Sequence, residues 1–277
     1  MSRKRPGHTQ DQVYEKDLVS GVERRVTFQN GSTFQPHYHA KEPWIVYSSS
    51  TDELKENPPM LHPNSQLGKL PYPYQEPMEV YTHSLRGFEI QRLTDHQGFD
   101  GEARFGADPN NLTFTRVTGL KTEIINFHRS LHTAHTIKDL GANPTQYTTA
   151  PDGKSHAWIE WDDSYGVARL RLKKGKDEPV EINADLIVPK TDLSFSPDNA
   201  WLLWSQKEAD KAVYDLWIAD TKTLCPRRLT TSAEGERRSP VLSPDLKWIT
   251  FTLIDGKRSR IARIGFTAPG ETCPAGT

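Results

Sequence analysis

Thr191-Asp192-Leu193-Ser194-Phe195-Ser196-Pro197-Asp198-Asn199-Ala200-Trp201-Leu202-Leu203-Trp204-Ser205 is the stretch on which the reading of this chain turns, continued by Tyr214-Asp215-Leu216-Trp217-Ile218-Ala219-Asp220 and Arg227-Arg228-Leu229-Thr230. It holds four short apolar or alternating runs, separated by a Pro-Asp turn, a charged loop and a Thr-Lys-Thr turn. Runs of four to seven such residues bounded by Pro, Asp, Asn and Gly are strand signals. Thr191 to Thr230 therefore reads as four consecutive strands, and 20 prolines in the chain argue against long helices.

The unit recurs along the chain. Arg24-Arg25-Val26-Thr27 and Gln91-Arg92-Leu93-Thr94 are near copies of Arg227-Arg228-Leu229-Thr230. The turn recurs as Ala150-Pro151-Asp152 and Ser243-Pro244-Asp245, with degenerate forms at Ala40-Lys41-Glu42-Pro43 and Ala107-Asp108-Pro109-Asn110. The position before each turn falls at Tyr38, Phe105, Thr149, Phe195 and Leu242, with separations of 67, 44, 46 and 47. The period lies in the mid-forties, with an insertion of about 22 residues in the first interval. Four strands in such a period is the spacing of a β-propeller blade. A blade cannot bury both faces alone, so blades stack and each covers its neighbour. Trp44, Trp201 and Trp248, each six residues after the aligned position, are expected in that core.

The expected fold is all-β, a propeller of five to six four-stranded blades in one domain spanning 1–277, with an incomplete N-terminal blade. Its parts are a partial blade at 12–27, a blade at 33–94 with an inserted loop at 52–77, blades at 100–140, 145–185 and 190–230, a partial blade at 238–266 and a tail at 267–277. Gln12 to Leu18 and Glu23 to Thr27 read as third and outermost strands, and Ser2 to Gln10 as the loop before them. The missing strands point to an N-terminally truncated or mis-started chain, to be checked in the codons upstream of Met1.

Ser-Pro-Asp-x-x-Trp before an apolar strand, the strand Asp215 to Asp220 and the Arg-Arg-Leu-Thr segment together resemble the TolB-type β-propeller repeat. Gly98-Phe99-Asp100-Gly101-Glu102-Ala103-Arg104-Phe105 is similar to the stretch that opens a blade in that family. The resemblance runs from about Gln12 to Phe266 and implies a periplasmic, non-enzymatic scaffold whose partner is a protein or peptide, an envelope lipoprotein among them. The resemblance implies no cofactor. The family's N-terminal α/β domain is not expected within these 277 residues, all of which read as propeller. The same repeat occurs in metal-dependent lyases acting on oligosaccharides and in the regulatory propellers of prolyl-oligopeptidase-type peptidases, which are the alternative functions.

Composition limits the partners. The 35 basic and 36 acidic residues leave a net charge of -1, so no general attraction to nucleic acid or an anionic membrane is expected. No stretch approaches the roughly 18 apolar residues of a membrane span, and no export signal is visible in the chain as written. Cys225 and Cys273 are too few for a disulfide framework or a four-ligand zinc site; one disulfide and two free thiols both remain open. A monomer is expected.

The candidate partner face is the end of the blades carrying the blade-to-blade connections. It takes in Asn30, Asp95, His96, Phe99, Asp100, Glu102, Glu236, Arg237 and Arg238, together with Tyr72 and Tyr74 of the proline-rich insertion. His37 and His39, two apart on an innermost strand, are candidate metal ligands, though the expected metal content is none. His128, His132 and His135 have helical zinc spacing, but the repeat places Glu123 to Arg129 in a third strand, Thr136 to Leu140 in an outer strand and the residues between in a hairpin loop. No Gly-x-Ser-x-Gly motif and no phosphate-binding glycine loop is present.

Overall fold

The structure, a computed structural model, describes residues 2–3, 10–52, 77–87, 89–182, 190–207, 213–231, 235–256 and 258–270. These are all-β: no helix occurs among them, and the strands form antiparallel blades of β-propeller type. The first sheet comprises β1 (Ser2–Arg3), β2 (Gln12–Lys16) and β3 (Glu23–Arg25). Four sheets of four strands follow. They are β4 (Thr33–Tyr38), β5 (Trp44–Ser49), β6 (Glu79–Ser84) and β7 (Ile90–Arg92), then β8 (Asp100–Phe105), β9 (Asn111–Thr118), β10 (Lys121–His128) and β11 (Thr133–Thr136). Next come β12 (Asn143–Thr149), β13 (Ser155–Trp161), β14 (Ala168–Lys174) and β15 (Val180–Ile182), then β16 (Lys190–Phe195), β17 (Trp201–Lys207), β18 (Tyr214–Asp220) and β19 (Pro226–Arg228). The last sheet has three strands, β20 (Glu236–Leu242), β21 (Trp248–Asp255) and β22 (Arg258–Gly265).

Contacts divide the chain into two compact units, Met1–Asp139 and Leu140–Thr277. In each, the core lies between successive sheets, because alternate residues of one strand serve opposite neighbours. On β5, Ile45 and Tyr47 pack with Val13 and Val26 of the first sheet, while Val46 between them joins Leu112 and Phe114 of the third. On β17 of the second unit, Leu202 and Trp204 face Ile159 and Leu170, and Leu203 faces Ile249 and Phe251. Both faces of these strands are therefore dry, which is why they read as continuous apolar runs.

The sequence repeats have separate structural causes. In the turn copies, Ser196 and Ser243 accept the amides of Trp201 (2.9 Å) and Trp248 (3.0 Å) through Oγ and donate to Asp198 and Asp245. In the Arg-x-Thr copies, Arg25, Arg92 and Arg228 donate through Nε to the carbonyls of Thr27, Thr94 and Thr230 at 2.6, 2.8 and 2.7 Å. Those threonines accept the amides of Val13, Val80 and Leu216 at 2.9, 2.9 and 3.0 Å, and donate to Gln12, Glu79 and Asp215. The motif thus locks each outermost strand to the strand beside it.

Three expectations are corrected. Ser2–Arg3 pairs with β2, Ser2 opposite Val13, rather than lying in a loop. The outer strand of the third sheet is Thr133–Thr136, three residues earlier than read, because Phe127 pairs with Ala134 directly across a short hairpin. Trp248 is 38% exposed and stacks under Arg263 at 4.4 Å, and Trp44 is only half-buried beneath Arg129 at 3.9 Å. The fully buried tryptophans are Trp158 and Trp204, which sit mid-strand where both faces are covered; positions opening a strand lie nearer solvent.

Candidate functional site

The first strand of each sheet from the second to the sixth is interrupted at one place. Register shifts fall between Phe34 and His37, Gly101 and Arg104, Thr145 and Thr148, Thr191 and Ser194, and Arg238 and Val241. Within each bulge one residue is left-handed: Gln35 (φ 51°), Glu102 (56°), Gln146 (53°), Asp192 (61°) and Ser239 (56°). A left-handed non-glycine residue is uncommon, and a bulge re-aims its side chain. For Gln35, Gln146 and Asp192 that side chain reaches the bulge of the next sheet. Gln35 Oε1 accepts the amide of Glu102 at 3.0 Å in the first unit. In the second, Gln146 Oε1 accepts the amide of Asp192 at 2.5 Å, and Asp192 Oδ2 accepts that of Ser239 at 3.0 Å.

Antiparallel order puts the start of a first strand, the end of the second, the start of the third and the exit of the fourth at one end of each sheet. In the second unit this end carries a dense polar cluster. Arg238 donates to Asp192 at 2.9 Å and to Glu236 at 2.8 Å, and its guanidinium lies 4.2 Å from the centre of the Tyr214 ring. Beside it Asp215 receives Arg228 at 2.5 Å and stands 3.6 Å from Arg237. Burial alone would raise the Asp192 carboxyl; the Arg238 charge and the Ser239 amide outweigh it and hold the group below the usual carboxylate range. Burial would likewise lower Arg238, but Asp192 and Glu236 push its pKa up. The cluster is a preorganised, charged platform whose arginine edges stay partly exposed.

The corresponding end of the first unit is built around Asp100, which Arg116 grips through Nε at 2.9 Å and through Nη2 at 2.6 Å. Phe99, Asp100 and Glu102 are buried, Glu102 accepting from Thr115 at 2.8 Å. Gly101 is required here, since a Cβ would stand 2.4 Å from the Phe99 ring. Asp95 and Asn30 are exposed, and His96 is half-exposed, its Nε2 3.5 Å from Thr118 Oγ1. The exposed surface of this end thus comes from Asn30, Asp95 and His96, while Phe99, Asp100 and Glu102 hold the scaffold together. Tyr72 and Tyr74 lie outside the described residues.

His37 and His39 are engaged internally. His39 is buried, and its Nδ1 accepts the amides of Lys41 (3.2 Å) and Glu42 (2.9 Å). The proton is therefore on Nε2, which donates to the carbonyl of Ala107 at 3.3 Å. Neither nitrogen has a lone pair left for a metal. His37 Nδ1 receives Arg104 at 3.3 Å, and burial together with that guanidinium holds its pKa well below the ordinary value. His128, His132 and His135 sit on or beside the β10–β11 hairpin, and no metal-binding group of three occurs among the described residues. Cys225 is buried and disulfide-bonded; Cys273, the chain's other cysteine, lies outside the described residues.

Asp192, Asp215 and Tyr214 were not among the residues expected at the site. A signal for Asp192 exists: Gln35, Glu102, Gln146, Asp192 and Ser239 each stand three residues before the aligned turn position, and all five are polar.

The fold is similar to that of TolB from Acinetobacter baumannii at 16% identity and a TM-score of 0.69, over 92% of this chain and 57% of that one. It is similar to a putative TolB from Agrobacterium tumefaciens at 14% identity and a TM-score of 0.69, over 94% and 86%. It is also similar to oligogalacturonate lyase from Vibrio parahaemolyticus at 12% identity and a TM-score of 0.59, over 92% and 71%. The chain thus spans little more than half of the Acinetobacter protein. No family model and no curated protein matches it. Likeness at this identity carries the propeller fold, and function has to be argued from the site.

Proposed function

We propose that this chain is a non-enzymatic, TolB-like propeller that binds a protein or peptide partner at the cell envelope, through the sheet ends that carry the connections between blades. The observation that carries the reading is the Asp192–Arg238–Glu236 platform on Tyr214, with Arg237 beside it. Arginine and tyrosine held rigid by their own partners lose little entropy on binding, and both are enriched at interface hot spots. A lyase using His37 and His39 is disfavoured by the hydrogen bonds that occupy both nitrogens of His39.

The test is calorimetric titration of the protein with purified peptidoglycan-associated lipoprotein. Binding is expected, with Kd raised about tenfold or more in Arg237→Ala. No binding would overturn the envelope-partner reading, and equal affinity in the variant would remove the platform from it.

A further inference from the structure

The four-stranded sheets end on outer strands of three or four residues, whereas the sixth ends on β22, which is eight residues long. Among the described residues no strand pairs with the outward edge of β22. Its register with β21 is continuous over eight pairs, without a bulge. Phe266 N donates to Lys247 O at 2.7 Å, one step beyond the Gly265–Trp248 pair, and this sets the phase of the ladder. Backbone groups of even-numbered residues face β21, and those of Ser259, Ile261, Arg263 and Gly265 face outward. A straight row of unpaired amides and carbonyls is a template for another strand, and proteins normally shorten, bend or cover such edges. The chain beyond β22 leads to the fifth sheet, where Gly270 O accepts from Arg227 at 2.5 Å.

The charge on the edge selects its occupant. Arg258, Arg260 and Arg263 are exposed, β22 holds no acidic residue, and none of the three is in an ion pair among the described residues. Alternation sends Arg258 and Arg260 to one face and Arg263 to the other, so positive charge flanks both faces of an added strand. A second copy would lay the same arginine-bearing strand against this one, with Arg260 opposite Arg260 or Arg263 opposite Arg263 when the pairing centres on either residue. We propose that β22 is a docking edge for an extended acidic segment of a partner polypeptide, which adds to the sixth sheet as a fourth strand. This edge is separate from the Arg238 platform and does not depend on it.

The experiment is residue-resolved amide exchange of the full chain, free and with an acetylated, amidated peptide in which Glu alternates with Val. In the free protein the amides of Ser259, Ile261, Arg263 and Gly265 exchange rapidly, and those of Arg260, Ala262 and Ile264 slowly. Peptide is expected to protect the first set. Affinity should fall about tenfold or more in the Arg258→Glu/Arg260→Glu double variant, which should prefer the Lys–Val peptide instead. Because both arginines are exposed, the double variant is expected to fold, which its unchanged exchange pattern at Ala262 and Ile264 checks. Slow exchange of the first set in the free protein, equal affinity for Glu–Val and Lys–Val peptides, or no protection at millimolar peptide would each overturn the proposal.

Discussion

Gln35 in the first unit and Asp192 in the second occupy the same backbone position, a left-handed residue in a first-strand bulge, and satisfy the same next-sheet amide by different chemistry. Gln35 does so as a neutral amide. Asp192 does so as a carboxylate that must also be compensated by Arg238, which in turn recruits Glu236 and the Tyr214 ring. The bulge geometry is thus common to the blades, while one change of side chain turns a structural bond into the centre of a charged cluster.

The largest effect expected from this difference is in truncation. Asp192→Ala leaves Arg238 with Glu236 alone and the Ser239 amide without its acceptor, and should cost about 3 kcal/mol in urea unfolding, whereas Gln35→Ala should cost about 1 kcal/mol. Equal losses would break the comparison. Next, Thr94→Val and Thr230→Val should each cost about 1–3 kcal/mol, and by similar amounts, since the Arg-x-Thr lock is the same in both units; a clear disparity would show that the lock is not equivalent.

Acid sensitivity should also separate the units. Burial and Arg104 keep His37 neutral in the folded chain. Below about pH 6.5 the unfolded chain therefore gains a proton that the folded one refuses, and stability falls. Asp192, held below its ordinary range, contributes stability that is present above about pH 4 and is lost as pH falls through its lowered folded value. Urea midpoints followed from pH 7 to 3 should lose the upper step in His37→Gln and the lower step in Asp192→Asn; a variant that keeps its step refutes the assignment. The smallest effect is expected at Trp248→Ala, about 1 kcal/mol, because the side chain is 38% exposed and one of its ring faces is covered by the exposed Arg263 rather than by a dry core.

Much of this was legible in advance. The Ser-Pro-Asp turns and the Arg-x-Thr copies located strands and blades because their hydrogen bonds are local, closing within five residues of Ser196 or between neighbouring strands at Thr230. The candidate face was legible only in part. Arg237 and Arg238, read as part of a connection, lie on strand β20, and Phe99 and Asp100, an aromatic and an acidic residue in a loop-like stretch, turn inward. Their burial depends on Arg116, sixteen residues further along the chain from Asp100, and on space that Gly101 leaves. The same limit misplaced Trp248: spacing puts it at the head of a strand, but only the neighbouring sheets decide whether that head is covered.

By itself the sequence determined an all-β chain of repeated four-strand units, their period and their turns, because period, strand alternation and turn chemistry are short-range properties written residue by residue. The tertiary structure decided which polar residues are structural and which remain available. Asp192 and Arg238 lie 46 residues apart and meet only when their sheets stack, His39 loses its lone pair to two backbone amides, and which edge of β22 is left without a paired strand among the described residues is set only once its neighbours are placed.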